Sequence, residues 1–282
     1  MKKISRRGFL AAAGLSVAAL ALTACGGSAS SVASSAAASS VAGSAAASAG
    51  AAGDLATVVA GKLTMATNAT FPPYEMTTDS GEIEGIDVDT AKAIAEKLGL
   101  ELQIDDMDFD AALLSVQQGK ADIVMAGVTV TDERKAVMDF SDSYATGIQS
   151  IIVPNDSDIA SPDDLAGKKI GTQRGTTGYI YCTDDYGEEH VIAYDNGITA
   201  VQALMNGQVD CVVIDKAPAQ AFVEANAGLT ILDTEYVTEN YAIGVAKGNT
   251  ALLDAINGAL AELTEDGTIQ AIIDKYIPAE AE

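Results

Sequence analysis

Small, polar and charged residues follow three short apolar runs of this chain, at 121–126, 169–172 and 210–214. They are Gly127, Thr129 and Arg134 after the first run, Gly175, Thr176 and Thr177 after the second, and Asp215 after the third. A guanidinium can hold a carboxylate through two parallel hydrogen bonds, N–H groups at a helix start can add to that contact, and a carboxylate can hold an ammonium group. Brought together, these residue types would bind a zwitterion.

Each of these groups also has an ordinary structural explanation. Arg134 could be a surface arginine, Asp215 a helix cap, and residues 175–177 a plain loop. Ligands of open α/β sheets, however, bind outside the carboxyl ends of the strands. The occurrence of such residues after three predicted strands therefore favours a binding site.

The elements that would position these residues alternate between strand and helix patterns. Such alternation is typical of an α/β protein with mostly parallel sheets. Residues 62–66 predict a strand. Residues 88–98 predict a helix with Asp87 as its cap and Gly99 directly after its last turn.

One arrangement occurs twice in the chain: a helix, a glycine, two further residues, an aspartate and an apolar β-branched run. Residues 119–122 show it after a predicted helix at 110–118, and residues 207–210 show it after a predicted helix at 201–205. The repetition predicts two lobes of similar construction.

The first residues have the order of an export signal. Basic residues at positions 2, 3, 6 and 7 precede an uncharged apolar run that ends in Leu22-Thr23-Ala24-Cys25. Because the run is shorter than a membrane span of about 20 residues, we expect residues 1–24 to be a signal peptide and Cys25 to carry a lipid anchor. An uncleaved membrane anchor is the alternative, and Arg6-Arg7 leaves open whether export follows the general secretory or the twin-arginine route.

Composition separates a tether from a folded part. Residues 26–53 are almost wholly Ser, Ala and Gly, so we expect 25–53 to form a lipidated flexible tether and residues 54–282 to fold. The formal net charge of −24 excludes nucleic acid as an expected partner, because an acidic surface repels polyanions.

The remaining cysteines and the single histidine do not predict a metal or cofactor site. Cys182, Cys211 and His190 lack the paired spacing of zinc ligands. In an oxidising compartment the two cysteines could form a disulfide or stay as buried thiols, and the sequence leaves both open.

Several further motifs in this order resemble those of the extracellular solute-binding proteins of family 3, the amino-acid-binding components of ABC importers. The motifs are Ala66-Thr67-Asn68-Ala69-Thr70-Phe71-Pro72-Pro73-Tyr74-Glu75, Gly85-Ile86-Asp87-Val88-Asp89, Met125-Ala126-Gly127-Val128-Thr129-Val130-Thr131-Asp132-Glu133-Arg134, Phe140-Ser141, Gly175-Thr176-Thr177 and Glu265-Asp266-Gly267-Thr268. The resemblance covers about residues 58–278.

The resemblance implies a two-lobe periplasmic-binding-protein-like α/β fold of type II, with two crossover hinge strands. The first lobe would comprise 54–145 plus 244–282, and the second 146–243. The chain would thus visit the first lobe twice.

The resemblance also assigns roles to site residues. Arg134 would hold the α-carboxylate of the ligand beside the backbone amides of Gly127 and Thr177, and Asp215 would hold its ammonium group with help from the Thr129 hydroxyl.

The aromatic walls of the site would be Phe71 and Phe109, whereas Asn68, Gln173 and Ile214 would face the ligand side chain. Because these last three carry no charge, a neutral and polar amino acid is the expected ligand.

The implied function is therefore that of a monomeric, extracytoplasmic binding lipoprotein, tethered to the cell membrane, that delivers a free amino acid to a permease and its ATPase subunits. No catalysis is expected. The alternative is an enzyme similar to cyclohexadienyl dehydratases, which share the fold. The sequence leaves open which amino acid binds, how tightly, to which permease it is delivered, and in which type of envelope.

Overall fold

The computed structural model describes residues 55–278. The predicted signal peptide at 1–24, Cys25 and the tether at 25–53 lie outside the described residues. The strands are β1 (Lys62–Thr67), β2 (Thr70–Phe71), β3 (Glu75–Thr77), β4 (Ile83–Glu84), β5 (Glu101–Asp106), β6 (Ile123–Val124), β7 (Met138–Pro154), β8 (Ile170–Gln173), β9 (Val191–Tyr194), β10 (Cys211–Asp215), β11 (Leu229–Ile231) and β12 (Val237–Ala246). The α-helices are α1 (Ile86–Leu98), α2 (Phe109–Gln117), α3 (Asp132–Val137), α4 (Thr177–Tyr186), α5 (Gly197–Met205), α6 (Lys216–Ala225), α7 (Thr250–Glu265) and α8 (Thr268–Tyr276).

The main sheet has nine strands in the order β5-β1-β6-β12-β7-β10-β8-β9, with β11 paired to β7. At its two ends the pairs are parallel: β1 with β5 and β6, and β8 with β9 and β10. In the middle, β7 and β12 pair antiparallel with each other and with their neighbours. The sheet is therefore mixed and not mostly parallel as the strand and helix alternation predicted. Its antiparallel part is formed by the two long strands β7 and β12.

These two long strands contain the segments predicted to cross between lobes. Tyr241 of β12 faces Ala145 of β7, and Glu239 faces Gly147. The register shifts between Tyr241 and Ala242 and again before Gly244, so the ladder is irregular at this point. The predicted lobe boundaries, at 145/146 and 243/244, fall inside the same pair of strands and stay a prediction.

Helix α1 confirms the predicted C-terminal end but not the predicted N-terminal cap. Gly99 ends the helix in the left-handed conformation, at φ 69°, as predicted. Asp87, however, is not its cap: the cap position is Gly85, and Asp87 lies inside the first turn with its side chain fully buried. The prediction failed because tertiary contacts of Asp87, described below, take the place of the capping hydrogen bond.

The repeated glycine and aspartate arrangement has a common structural role. Asp122 accepts hydrogen bonds from the backbone N–H groups of Val58 and Thr64, both at 2.7 Å, and Asp210 accepts one from Lys169 at 2.7 Å. In both copies the aspartate carboxylate therefore holds a neighbouring segment of the sheet in place. Gly119 and Gly207 precede it with positive φ, at 66° and 67°.

The apolar core lies on both faces of the sheet. Cys182 and Cys211 are buried in one cluster as free thiols, and burial raises the pKa of the Cys211 thiol to about 12. Within residues 55–278, no helix has the length and apolar character needed to span a membrane, and no group of three potential ligand residues is placed to hold a metal ion.

Candidate functional site

A cavity lies where the carboxyl ends of β1, β6, β8 and β10 meet. Its lining consists of Asn68, Phe71, Glu75, Phe109, Ala126, Gly127, Thr129, Arg134, Gln173, Thr176, Thr177 and Asp215. All the residues predicted to bind the ligand, except Ile214, therefore lie on one cavity. The convergence follows from the arrangement of the two parallel groups. Strands β1 and β6 lie toward one end of the long β7–β12 pair, and β8 and β10 lie toward the other end, so the carboxyl ends of the two groups point toward each other.

The guanidinium of Arg134 is the cation of this cavity. It donates from Nη1 to the Thr129 carbonyl at 2.7 Å and from Nη2 to the Gly175 carbonyl at 3.2 Å. Its carbon Cζ lies 5.3 Å from the centre of the Phe109 ring. Arg134 is only 8% exposed, and it forms an ion pair with no carboxylate of the described residues. Burial lowers the pKa of its side chain, yet an arginine stays charged, so the site holds a buried cation that still lacks an anion.

Asp215 supplies a buried carboxylate to the same cavity. Its Oδ2 accepts a hydrogen bond from Gln149 Nε2 at 2.8 Å, and its Oδ1 accepts one from the Tyr241 hydroxyl. Burial, opposed by these two hydrogen bonds, raises the pKa of Asp215 to about 7. Although Asp215 occupies the cap position of α6, its side chain makes no capping hydrogen bond. The structure therefore contradicts the simple interpretation of this residue as a helix cap.

Aromatic side chains close one wall of the cavity. Phe71 stacks on Tyr74 with ring centroids 5.8 Å apart, and Tyr74 meets Tyr241 edge to face at 5.2 Å. Phe71 and Phe109 are both buried and both line the cavity. They occupy the positions expected for walls around a ligand.

The amide side chains of Asn68 and Gln173 meet across the cavity. Gln173 Nε2 donates to Asn68 Oδ1 at 3.0 Å, while Asn68 Nδ2 donates to the Met107 carbonyl at 2.9 Å. This contact and the one between Arg134 and Gly175 join residues of the predicted first lobe to residues of the predicted second lobe. The cavity is therefore closed in this conformation.

Comparison with known proteins identifies the chain. The sequence profile of the bacterial extracellular solute-binding proteins, family 3, matches residues 63–279. The chain belongs to this family.

Two curated relatives of this solute-binding protein cover most of its length. The L-cystine-binding protein TcyJ of Escherichia coli K12 is 33% identical over 223 residues, which are 78% of this chain and 84% of the relative. A probable histidine-binding protein of Neisseria gonorrhoeae is 34% identical over 276 residues, 95% of each chain.

A solved structure of an ancestral arginine-binding protein bound to glutamine has the same fold. It is 42% identical, with a TM-score of 0.75, and the match covers 78% of this chain and 100% of that one. The fold of this protein is therefore the two-lobe type II fold of periplasmic binding proteins, as predicted. The relatives described here are binding proteins and not enzymes.

In two places the structure differs from the predicted contacts in this solute-binding protein. The N–H of Gly127, which lines the cavity, donates to Asp87 Oδ2 at 2.9 Å in this conformation, so its contact with a ligand carboxylate stays a prediction. Ile214 does not line the cavity: its side chain points toward Gly197 in the apolar core. The N–H of Thr177, at the first position of α4, has no hydrogen-bond acceptor among the described residues, so this predicted donor is available.

Sequence reasoning missed a second row of buried polar residues behind the cavity. Tyr144 donates to Asp87 Oδ1 at 2.6 Å, and burial raises the pKa of Asp87 to about 6. Glu75, which lines the cavity, is wholly buried, and burial followed by the charge of Asp87 raises its pKa well above the usual range. Glu75 stands in the motif at 66–75, so its position was visible, but no sequence signal showed that its side chain points into the cavity.

Proposed function

We propose that this protein captures a free amino acid between its two lobes and delivers it to an ABC importer. The observation that carries the proposal is the presence of an unpaired, buried Arg134 guanidinium and a buried Asp215 carboxylate on one closed cavity. A buried charge without a partner is costly, so each of these groups favours a ligand of opposite charge. The α-carboxylate and ammonium groups of an amino acid supply both.

The expected ligand is a neutral, polar amino acid. Once Arg134 and Asp215 are paired, the other polar side chains of the lining are the amides of Asn68 and Gln173, the carboxyl of Glu75 and the hydroxyls of Thr129, Thr176 and Thr177. The amides and hydroxyls are uncharged, and burial raises the pKa of the Glu75 carboxyl, which favours its neutral form. A ligand side chain that hydrogen-bonds without carrying charge fits this lining.

A cationic amino acid is the second candidate. It is favoured by Glu75, a buried carboxyl of the cavity lining that forms no ion pair within the described residues. A guanidinium or ammonium group placed beside Glu75 would stabilise its ionised form. The related ancestral protein is named for arginine and was solved with glutamine, so both classes occur among similar proteins.

Calorimetric titration distinguishes these candidates. The mature protein is unfolded and refolded to remove any carried ligand and is then titrated with the standard amino acids in turn. Tightest binding of glutamine or asparagine supports the neutral class, whereas tightest binding of arginine or lysine supports the second candidate. If no amino acid binds, the proposed function is wrong.

The enzymatic alternative is tested on the same sample. Mass spectrometry after incubation should recover the bound amino acid unaltered, because a binding protein of this kind transports its ligand without changing it. Turnover of prephenate or arogenate by the purified protein would instead support a dehydratase.

The N-terminal proposals are a signal peptide at 1–24, a lipid on Cys25 and attachment to the cell membrane through the tether. They rest on the sequence alone. Replacement of Cys25 by Ser should release the protein from the membrane fraction or block its processing. A parent protein that is freely soluble with an unmodified Cys25 would contradict the lipid anchor. We also propose that the folded part is a monomer, which size-exclusion chromatography coupled to light scattering would test.

A further inference from the structure

The two crossover strands meet behind the cavity in a buried hydrogen-bond network. The side-chain amide nitrogen of Gln149, a residue of β7, donates its two hydrogens to two different carboxylates. Its Nε2 lies 2.8 Å from Asp215 Oδ2 and 2.9 Å from Glu239 Oε2. Glu239 Oε2 also accepts a hydrogen bond from the Thr177 hydroxyl at 3.0 Å. Gln149 therefore links the carboxylate that faces the cavity to the first residue of α4.

The orientation of this amide is determined by its neighbours. A side-chain amide has two donors on nitrogen and only acceptors on oxygen. If it were turned around, the Gln149 oxygen would face two carboxylate oxygens with no proton between them. The observed orientation is the one that satisfies both acids.

The start of α4 leaves room for the amide oxygen. Gln149 is 1% exposed, and its Oε1 lies against Gly178, where a Cβ atom would come within 2.8 Å of it. Any other residue at position 178 would push the amide away from its two acceptors. Gly178 thus belongs to the same arrangement.

We propose that Gln149 is a positioning residue of the binding site, which holds Asp215 in place and keeps it able to accept an ammonium group. The inference rests on the proposed function, because it assumes that Asp215 is the partner of the ligand ammonium. Asp215 and Glu239 are two acids close to each other, and two nearby carboxylates disfavour each other's ionisation. Gln149 offsets that effect by donating to both.

The other charged and titratable groups around Asp215 come from several elements. Tyr241 and Glu239 approach from β12, and Tyr241 donates to Asp215 Oδ1. Tyr74 and Glu75 act on Asp215 from the β2 to β3 region, and Arg134 acts on it from α3. Tyr241 and Gln149 are the two side-chain donors whose hydrogen bonds lower the pKa of Asp215, and a backbone hydrogen bond of Asp215 itself lowers it further.

The test replaces Gln149 with Met in the mature protein, because Met has a similar volume and no donor. The titration of Asp215 is followed without ligand by carboxyl carbon NMR, with the resonance assigned from an Asp215→Asn variant. We expect the pKa of Asp215 to rise in Gln149→Met. It should stay unchanged in the matched control Gln103→Met, which removes a half-buried amide of β5 that donates to Asp105 and does not line the cavity. An unchanged Asp215 titration in Gln149→Met would overturn the proposal.

A second variant keeps the test decisive if Gln149→Met does not fold. Glu239→Gln removes the neighbouring acid, whose charge raises the pKa of Asp215, so the Asp215 titration should move to lower pH. A shift in the opposite direction, or none, would contradict the network described above.

Binding supplies an independent measurement. With L-glutamine as the probe, the affinity of Gln149→Met at neutral pH should fall by about tenfold for each unit by which the pKa of Asp215 rises above the working pH. It should recover toward the parent value at about pH 8.5, where the carboxyl is again ionised. A merely structural defect would lower the affinity equally at every pH and would overturn the proposal. A parent protein that binds no amino acid would contradict the proposed function, whereas the NMR titration would still decide the role of Gln149.

Discussion

At the scale of single residues, the site depends on two buried charges that the protein leaves without an ionic partner. Arg134 is held by backbone carbonyls of Thr129 and Gly175, which orient the guanidinium but do not neutralise it. Asp215 is held by Gln149 and the Tyr241 hydroxyl in the same manner. Neutral hydrogen-bonding groups thus fix the positions of both side chains, and in the proposed function the ligand supplies the opposite charges.

We predict that Arg134→Ala abolishes amino-acid binding while the protein remains folded. Loss of a bidentate, buried ion pair costs about 2 to 5 kcal/mol, which corresponds to a roughly thirty-fold to several thousand-fold weaker Kd. Arg134→Lys should recover little, because an ammonium group lacks the planar fork. Calorimetric titration measures the affinities, and circular dichroism checks the fold.

The matched control for this prediction is Arg174→Ala. The Arg174 side chain is 56% exposed, and its ion pair with Asp195 spans 3.9 Å, so its removal should leave binding nearly unchanged. Binding by Arg134→Ala within a factor of about two of the parent, a difference below 0.5 kcal/mol, would show that the carboxylate site has been placed wrongly.

At the scale of elements, the two copies of the repeated glycine and aspartate arrangement contribute differently to the stability of the fold. Asp122 is 4% exposed and holds the N–H of Thr64, which is itself buried. Asp210 holds the N–H of Lys169 at the surface. Water can replace an exposed acceptor but cannot reach a buried donor, so the same sequence pattern has unequal energetic consequences.

We therefore predict that Asp122→Ala lowers the free energy of unfolding by about 1 to 3 kcal/mol, because the buried Thr64 N–H is left without an acceptor. Asp210→Ala should lower it by less than about 1 kcal/mol, since water replaces the lost acceptor. Denaturant unfolding of the two variants and the parent measures both values. Equal losses in the two variants would contradict the explanation by burial.

At the scale of the whole protein, the residues proposed to bind the ligand come from both predicted lobes. Arg134, Thr129 and Phe71 belong to the predicted first lobe, and Thr177 and Asp215 to the second. Contacts such as that of Gln173 with Asn68 form across the cavity in the closed arrangement seen here. A ligand that touches both sides favours closure, because those contacts are complete only when the lobes meet.

We predict that the binding of an amino acid reduces the radius of gyration of the protein. Small-angle X-ray scattering of the refolded, ligand-free protein, before and after addition of the amino acid that binds, measures the change. Arg134→Ala serves as the control and should show no compaction at the same ligand concentration. An unchanged profile of the parent at saturation would exclude closure by the ligand.

The sequence by itself determined the features of this protein that depend on residues close to one another in the chain. The strand at 62–67, the helix end at Gly99 and the turn glycines at 119 and 207 follow from signals within a few residues of each position. Six lining residues could also be named in advance because they follow predicted strands: Gly127, Thr129, Arg134, Thr176, Thr177 and Asp215. The family resemblance added Asn68, Phe71, Phe109 and Gln173 to that set.

The tertiary structure decided which polar groups are buried and what each one contacts. Gln149 reaches Asp215 and Glu239 across 66 and 90 residues of sequence, and Asp87 accepts from Gly127 across 40 residues where a local cap was expected. No periodicity or turn signal predicts such pairings, because a hydrogen bond between distant segments depends on how the strands of the sheet pack together. For the same reason only the folded chain showed Glu75 on the cavity, Ile214 in the core and the two buried cysteines as thiols.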